Sequence, residues 1–276
     1  VEDFVLEHME ETNKEFDEYL TVLSKCDDYT KIYYFLEVIS KEVKSSQKIE
    51  KHYVKNKDIL ENDCFFTSLQ MSHANIKRLH EVATKEKSDY RDNEVRVSAM
   101  IDGKEKIYWY GAKPSDVKPF MDDFIKFYKT KSLSVIDSNP FLKSALAHLL
   151  FVRIHPFSDG NGRTARMIHN MKFTESINNI YGMKLKLCPL NLSQNILLNQ
   201  FTYVNRIDDI YFDLEHDSNH EINRWFDFML NMVDEQLYYS KMRIPRFKRL
   251  VPAFFDKNKE PNNSQIVEEV KKIKIK

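Results

Sequence analysis

A mostly α-helical chain carrying a single β-hairpin is what the amino-acid sequence predicts, on three observations. Apolar residues recur at helical spacing through both halves of the chain. The period falls to two only in the stretch from Tyr90 to Tyr110, where Val95 and Val97 alternate with Arg96 and Ser98. That stretch folds back on an Asp102-Gly103 pair, a strong hairpin-turn signal.

Taken in order, Phe4 to Leu23 reads as an amphipathic helix, Tyr33 to Val43 repeats the pattern, and Phe65 to Val82 sets Leu69, Ile76 and Leu79 on one stripe. Ile107 to Tyr110 supplies the second strand. A lone hairpin cannot bury both faces, so it is expected against helices or over a site. Pro114-Ser115-Asp116 opens a helix over Val117 to Tyr128, and Pro140 opens another through Ala145, Leu149 and Val152. Helical periodicity returns after residue 163, then over Leu192 to Val204 with Ser193 as a starting signal, and over Ile222 to Leu237. Pro245 and Pro252 are expected to break the chain, leaving Ile266 to Val270 as a short final helix. The working division is a helical region over 1–89, a core over 90–240 and a basic extension over 241–276, with no low-complexity linker between them.

The 276 residues are 42% hydrophobic and 30% charged, a composition that places the chain among folded proteins and away from disordered ones. Three widely spaced cysteines, Cys26, Cys64 and Cys188, lack the pairs of a thiolate zinc site and form no disulfide framework. No stretch approaches a membrane span, and Val1-Glu2-Asp3 resembles no secretion signal, so a cytoplasmic protein is expected; a chain starting at valine leaves room for an upstream segment. Residues 241–276 hold 11 of the 42 Lys and Arg but four of the 42 Asp and Glu, leaving the body mildly acidic. That argues against a nucleic-acid surface spread over the body.

The candidate chemistry lies in His155-Pro156-Phe157-Ser158-Asp159-Gly160-Asn161-Gly162-Arg163-Thr164-Ala165-Arg166. With only five glycines in the chain, the pair Gly160 and Gly162 marks a backbone demand. Two permissive residues at a helix start can turn successive N–H groups toward one point, forming an anion nest. Arg163 and Arg166 are neighbours on one helix face, and their guanidinium forks suit phosphate oxygens. Asp159 beside phosphate would repel it unless a hard cation such as Mg2+ lay between. His155 supplies an imidazole able to take a proton from a hydroxyl near neutral pH. Singly, each has an ordinary reading: a structural histidine, a turn former, a solvated helix edge. Their coincidence within twelve residues favours a site. Phe157 reads as the loop's hydrophobic anchor, and His148 and His169 as structural.

This stretch resembles the Fic family hallmark: His, any residue, Phe, any residue, Asp or Glu, Gly-Asn-Gly-Arg, two residues, Arg. Every specified position is met. Tyr90-Arg91 with Val95-Arg96-Val97 is similar to the start of the family flap, and Asn139-Pro140 through Ala147-His148 with Phe151 to the helix before the motif. Cys188-Pro189-Leu190, Ser193, Asn199, Tyr203 and Trp225 resemble its later helices. The resemblance implies a helical Fic-domain fold with a single β-hairpin flap, ATP and Mg2+, and transfer of AMP to a Ser, Thr or Tyr hydroxyl of a protein, the chain itself included, with a homo-oligomer open and no membrane partner. Carried onto this chain, His155 would be the base and Asp159 the metal ligand. Gly160, Asn161, Gly162 and Arg163 would hold phosphates, Arg166 would grip the γ-phosphate, and Asn199 and Tyr203 would lie near adenine. The hairpin would align the target by backbone pairing.

Removal of AMP, transfer of another nucleotide or phosphocholine, and a silent interaction module are the alternatives. The kinase branch alters the glycine-rich loop, which is intact here. Many Fic proteins also carry an inhibitory helix with Ser or Thr four residues before Glu. Ser46 and Glu50 match that spacing and share one helix face, and Glu50 would pair with Arg166, whereas Lys51 and His52 depart from the Gly or Asn and Asn that follow in the family pattern.

Overall fold

The computed structural model describes residues 1–51, 69–132, 134–185, 187–216 and 219–250. Helix α1 (Asp3–Ser24) buries Val5, Phe16, Tyr19 and Leu23, the spacing read from the sequence. Helix α2 (Asp28–Ile49) starts at Asp27, whose carboxylate accepts the Thr30 N–H, and extends well beyond the predicted Tyr33–Val43 core. Helix α3 (His73–Thr84) begins later than the predicted Phe65, because Ser72 caps it through the Asn75 N–H. Leu69 therefore precedes the helix, and residues 65–68 lie outside the described residues.

Strands β1 (Arg96–Ile101) and β2 (Lys104–Tyr110) pair antiparallel. Asp102 and Gly103 both take positive φ, 51° and 75°, as a two-residue primed turn requires. A register shift between Val97 and Ser98 bends the ribbon. Tyr108 and Trp109 are buried at its base, while Met100, Ile101, Ile107 and Tyr110 stay exposed. Helix α4 (Pro114–Lys129) has proline in its first turn as expected, and the short α5 (Val135–Ser138), not foreseen, is capped by Ser134.

Helices α6 (Pro140–Ile154) and α7 (Asn161–Tyr181) form the central pair. Asn139 caps α6 through the N–H groups of Phe141 and Leu142. Both helices are enclosed on most sides, so each buries polar as well as apolar side chains, and neither shows a clean amphipathic stripe. The stretch predicted as one helix over Leu192–Val204 is two, α8 (Leu192–Leu198) and α9 (Gln200–His216). Asn199 divides them: its N–H and Nδ2 both turn back to the Asn195 carbonyl. The α8 cap is Asn191 and not Ser193, whose N–H and hydroxyl are both committed to the buried carboxylate of Glu42.

Helix α10 (His220–Leu250) runs through Pro245, where a break was predicted, and passes residue 240 without interruption. The missing N–H costs one helical bond, but the last turns are pinned to the N-terminal helices. Lys241 pairs with Glu15 and with Glu18, Arg243 pairs with Glu37, and Ile244 is buried. Basic residues at this end thus hold α10 against α1 and α2; residues 251–276, with the predicted helix Ile266–Val270, lie outside the described residues. Trp225, fully buried, donates to the Ala145 carbonyl at 3.0 Å and ties α10 to α6. No described helix is long and apolar enough to cross a membrane.

Candidate active site

Residues 155–160 link α6 to α7. His155 ends α6 in the left-handed region, at φ 52°, a conformation that costs a non-glycine residue about 1 kcal/mol or more unless its surroundings enforce it. Arg91 does so. Its Nε donates to the His155 carbonyl at 2.7 Å, its other nitrogens donate to the carbonyls of Asn93, Ala112 and Ile154, and its backbone N–H donates to Pro156. On the far side Phe157 is fully buried and stacks on His80, ring centroids 3.9 Å apart. His80 donates through Nε2 to the Asp159 carbonyl at 2.9 Å. Asn161 laces the loop: its Oδ1 accepts the Phe157 N–H and its Nδ2 donates to the Phe157 carbonyl.

The His155 ring points Nδ1 at the Val152 carbonyl, 3.1 Å away. A carbonyl only accepts, so Nδ1 carries the proton and Nε2 keeps its lone pair. Burial holds the His155 pKa below the ordinary imidazole value, opposed by the Val152 bond and reinforced by Arg91. The imidazole is therefore neutral near pH 7 and able to accept a proton.

Asp159 is exposed and ion-paired to Arg163, Oδ2 to Nη2 at 2.8 Å. A single exposed carboxylate fits Mg2+, which is commonly held by one or two protein carboxylates and completed by phosphate oxygens and water. Gly160 caps α7 with φ 75°, and a Cβ there would meet the Thr84 methyl at 2.3 Å, so both conformation and space require glycine. Gly162 differs from expectation. It lies inside α7 without positive φ, and what it supplies is room: a Cβ would stand 2.4 Å from Glu50 Oε1. The nest is thus one left-handed glycine followed by a helix start, whose first N–H groups, at Asn161, Gly162 and Arg163, have no partner within the helix. The Asn161 side chain is spent on the loop, so only its backbone can meet an anion.

Arg166, 2% exposed, meets the end of α2. Its Nε donates to Ser46 Oγ at 2.8 Å, its Nη2 donates to the Ser46 carbonyl at 2.9 Å and to Glu50 Oε1 at 2.8 Å. Its Nη1 is buried with no hydrogen-bond partner among the described residues. Ser46, Glu50 and Arg166 therefore form one hydrogen-bonded cluster. Asn199 sits at the α8–α9 break. Tyr203 is buried with its hydroxyl 2.8 Å from His148 Nε2, and burial pushes its pKa up to about 12. His148 and His169 are buried and driven toward neutrality, His169 down to about 4.

Sequence reasoning missed four contributors. Arg91 was noticed only as part of the flap, and His80, Glu42 and Gln200 not at all. Glu42 is fully enclosed, with its pKa raised by burial and countered by hydrogen bonds from Ser193 and Asn170.

The scaffold and loop define a helical protein in which the start of α7, with N–H groups unpaired within the helix, stands beside a neutral imidazole and two buried arginines. Residues 70–171 match the Fic/DOC family model, so that stretch of the chain carries a Fic domain. It is 40% identical over 58 residues to the protein adenylyltransferase fic-1 of Caenorhabditis elegans, which is 21% of this chain and 11% of that protein. It is 34% identical over 85 residues to the protein adenylyltransferase Fic of Drosophila erecta, 31% of this chain and 15% of that one. The matches thus span a small part of these curated relatives. The fold is shared with a Fic family protein from Desulfovibrio desulfuricans G20, TM-score 0.62 at 14% identity, covering 97% of this chain and 84% of that one.

Proposed function

We propose that this chain is an ATP-dependent protein adenylyltransferase, held in a low-activity state by Glu50. The observation that supports it most is the His155 tautomer: Nδ1 is committed to Val152, leaving a neutral, unprotonated Nε2 beside a helix start suited to polyphosphate. In this reading Nε2 takes the proton from a Ser, Thr or Tyr hydroxyl of a target protein, a second copy of this chain included, as that oxygen attacks the α-phosphorus of ATP. The bond from the α-phosphorus to the bridging β-oxygen breaks, pyrophosphate leaves, and AMP remains on the target as a phosphodiester. Mg2+ bound through Asp159 and phosphate oxygens would neutralise charge on the polyphosphate. The α7 N–H groups orient the phosphates, Arg163 positions Asp159, and Arg166 takes the terminal phosphate once Glu50 has left. The exposed strand edges of the hairpin are the proposed docking surface for an extended target segment.

The test is incubation with ATP labelled at the α or the γ position, candidate proteins, and Mg2+. Label transferred from the α position supports adenylylation. Label from γ alone identifies phosphoryl transfer and overturns it. Removal of AMP from a previously modified protein, with no forward transfer, assigns the site to the reverse chemistry instead.

A further inference from the structure

The end of α2 that carries Glu50 is held by more than Arg166. The last carbonyls of a helix have no partner within it and need outside donors. Gln200, at the start of α9, donates through Nε2 to the Ile49 carbonyl at 3.1 Å. On the other flank Gln47 donates through Nε2 to the Ala83 carbonyl at 3.0 Å, near the end of α3. Lys51 leaves the helix at φ 59°, so the regular ladder stops here; the last two amides, Glu50 and Lys51, bond only three residues back, to Gln47 and Lys48. The last turn is therefore held on three sides: by three hydrogen bonds from Arg166 of α7, by one that Gln47 donates to α3, and by one from Gln200 of α9. One turn earlier, Glu42 accepts from both Asn170 and Ser193 in the buried interior. Opening is cheapest at the turn and dearest at Glu42, so the separable piece is the last turn and not the whole helix.

We propose that Gln200 is a positioning residue: a cap supplied by a distant element that holds the last turn of α2 in place and thereby keeps Glu50 on Arg166. This rests on the reading of Glu50 as inhibitory. Gln200 touches neither His155 nor the arginines. It acts through the Ile49 carbonyl, and its half-buried position lets it be replaced without emptying the core. Losing one neutral hydrogen bond shifts the open population about 2- to 10-fold.

The experiment compares Gln200→Ala, Gln200→Glu and Gln200→Arg, each with Glu50 present and in the Glu50→Gly background, by two readouts. The first is hydrogen exchange of the Glu50 and Lys51 amides in the nucleotide-free protein. The second is the affinity for Mg-ATP. Gln200→Glu sets an acceptor against the Ile49 carbonyl at nearly constant shape, so it and Gln200→Ala are expected to speed exchange about 2- to 10-fold. They are also expected to tighten ATP by a similar factor only while Glu50 is present, with Gln200→Arg, which keeps a donor, close to the unaltered chain. Unchanged exchange in both variants overturns the cap. Equal effects on ATP with and without Glu50 overturn it too, because Gln200 would then act on nucleotide directly. If Glu50→Gly itself leaves ATP affinity unchanged, the inhibitory reading fails, while the exchange arm still decides whether Gln200 holds the turn.

Discussion

Replacing Glu50 with Gly removes one of three acceptors from a cation that is almost completely enclosed. Arg166 keeps Ser46 Oγ at 2.8 Å and the Ser46 carbonyl at 2.9 Å, but Nη2 loses its only charged partner and Nη1 has none among the described residues. A charge-assisted hydrogen bond contributes about 1.5–3 kcal/mol net. In the reading above, a nucleotide must displace that bond before its terminal phosphate can reach Arg166, so its removal should tighten ATP about 10- to 150-fold. The same loss should destabilise the free protein by about 1–3 kcal/mol, a melting-point drop of roughly 2–5 °C at this chain length. ATP should restore more of that loss in the variant than it adds to the unaltered chain, because the phosphate replaces the missing anion. Titration calorimetry and thermal melts with and without Mg-ATP read both effects, and Glu50→Ala separates carboxylate loss from the backbone freedom of glycine. An ATP affinity for Glu50→Gly within twofold of the unaltered chain would show that Glu50 does not compete with the nucleotide for Arg166.

Three further outcomes are expected. His155→Ala should abolish transfer and leave ATP affinity within about threefold, since the nest and arginines remain; because burial lowers the His155 pKa, the acid limb of the rate should fall below pH 6.5, and a midpoint above that value would contradict the assignment. Asp159→Ala should weaken ATP in the presence of Mg2+ far more than in its absence, measured by the same titration, and equal weakening would remove its metal role. His8 bridges Asp227 and Asp234 at 2.7 and 2.8 Å and has its pKa raised to about 8, so the stabilisation is complete below about pH 6.5 and lost as pH rises through 8. With the aspartates 39% and 31% exposed, screening limits this to about 1 kcal/mol; the melting-point gap between the unaltered chain and His8→Asn should narrow between pH 6 and pH 9.

Helix existence and the hairpin were legible because they rest on local signals: apolar period, Asp102-Gly103, and proline at helix starts. What was not legible depended on partners distant in sequence. Ser193 is a good local cap, yet Glu42 claims both its hydroxyl and its N–H from another helix, and Asn191 caps instead. Pro245 is a good local break, yet Lys241 and Arg243 hold α10 through it by pairing with α1 and α2. At the site, the motif gathered His155 to Arg166 in one loop and helix start, but the crowding at Gly162 is set by Glu50, more than a hundred residues earlier. Neither periodicity nor local spacing reports which residue will stand opposite a glycine; the Ser46–Glu50 spacing became informative only beside a known family pattern.

Arg91 shows how stability and chemistry are joined here. Its guanidinium is buried with no ion-paired carboxylate among the described residues, Glu94 acting only through its charge, and is satisfied by backbone carbonyls from three segments: Asn93 before the hairpin, Ala112 after it, and Ile154 with His155 at the end of α6. Burial lowers its pKa, but no solution pH deprotonates it, so those carbonyls must converge or leave a charge unpaired. Convergence fixes two things at once. It enforces the left-handed His155 that aims the imidazole, and it sets the base of the hairpin against the loop, helped by the Ala112 N–H donating to Ile154. A load on the proposed docking ribbon would thus be transmitted to the proposed base through one side chain. Replacing Arg91 with Lys keeps the charge but offers one nitrogen where four carbonyls wait. That variant should lose transfer activity by a larger factor than ATP affinity, since the nest and Arg166 are untouched while the His155 conformation is no longer enforced.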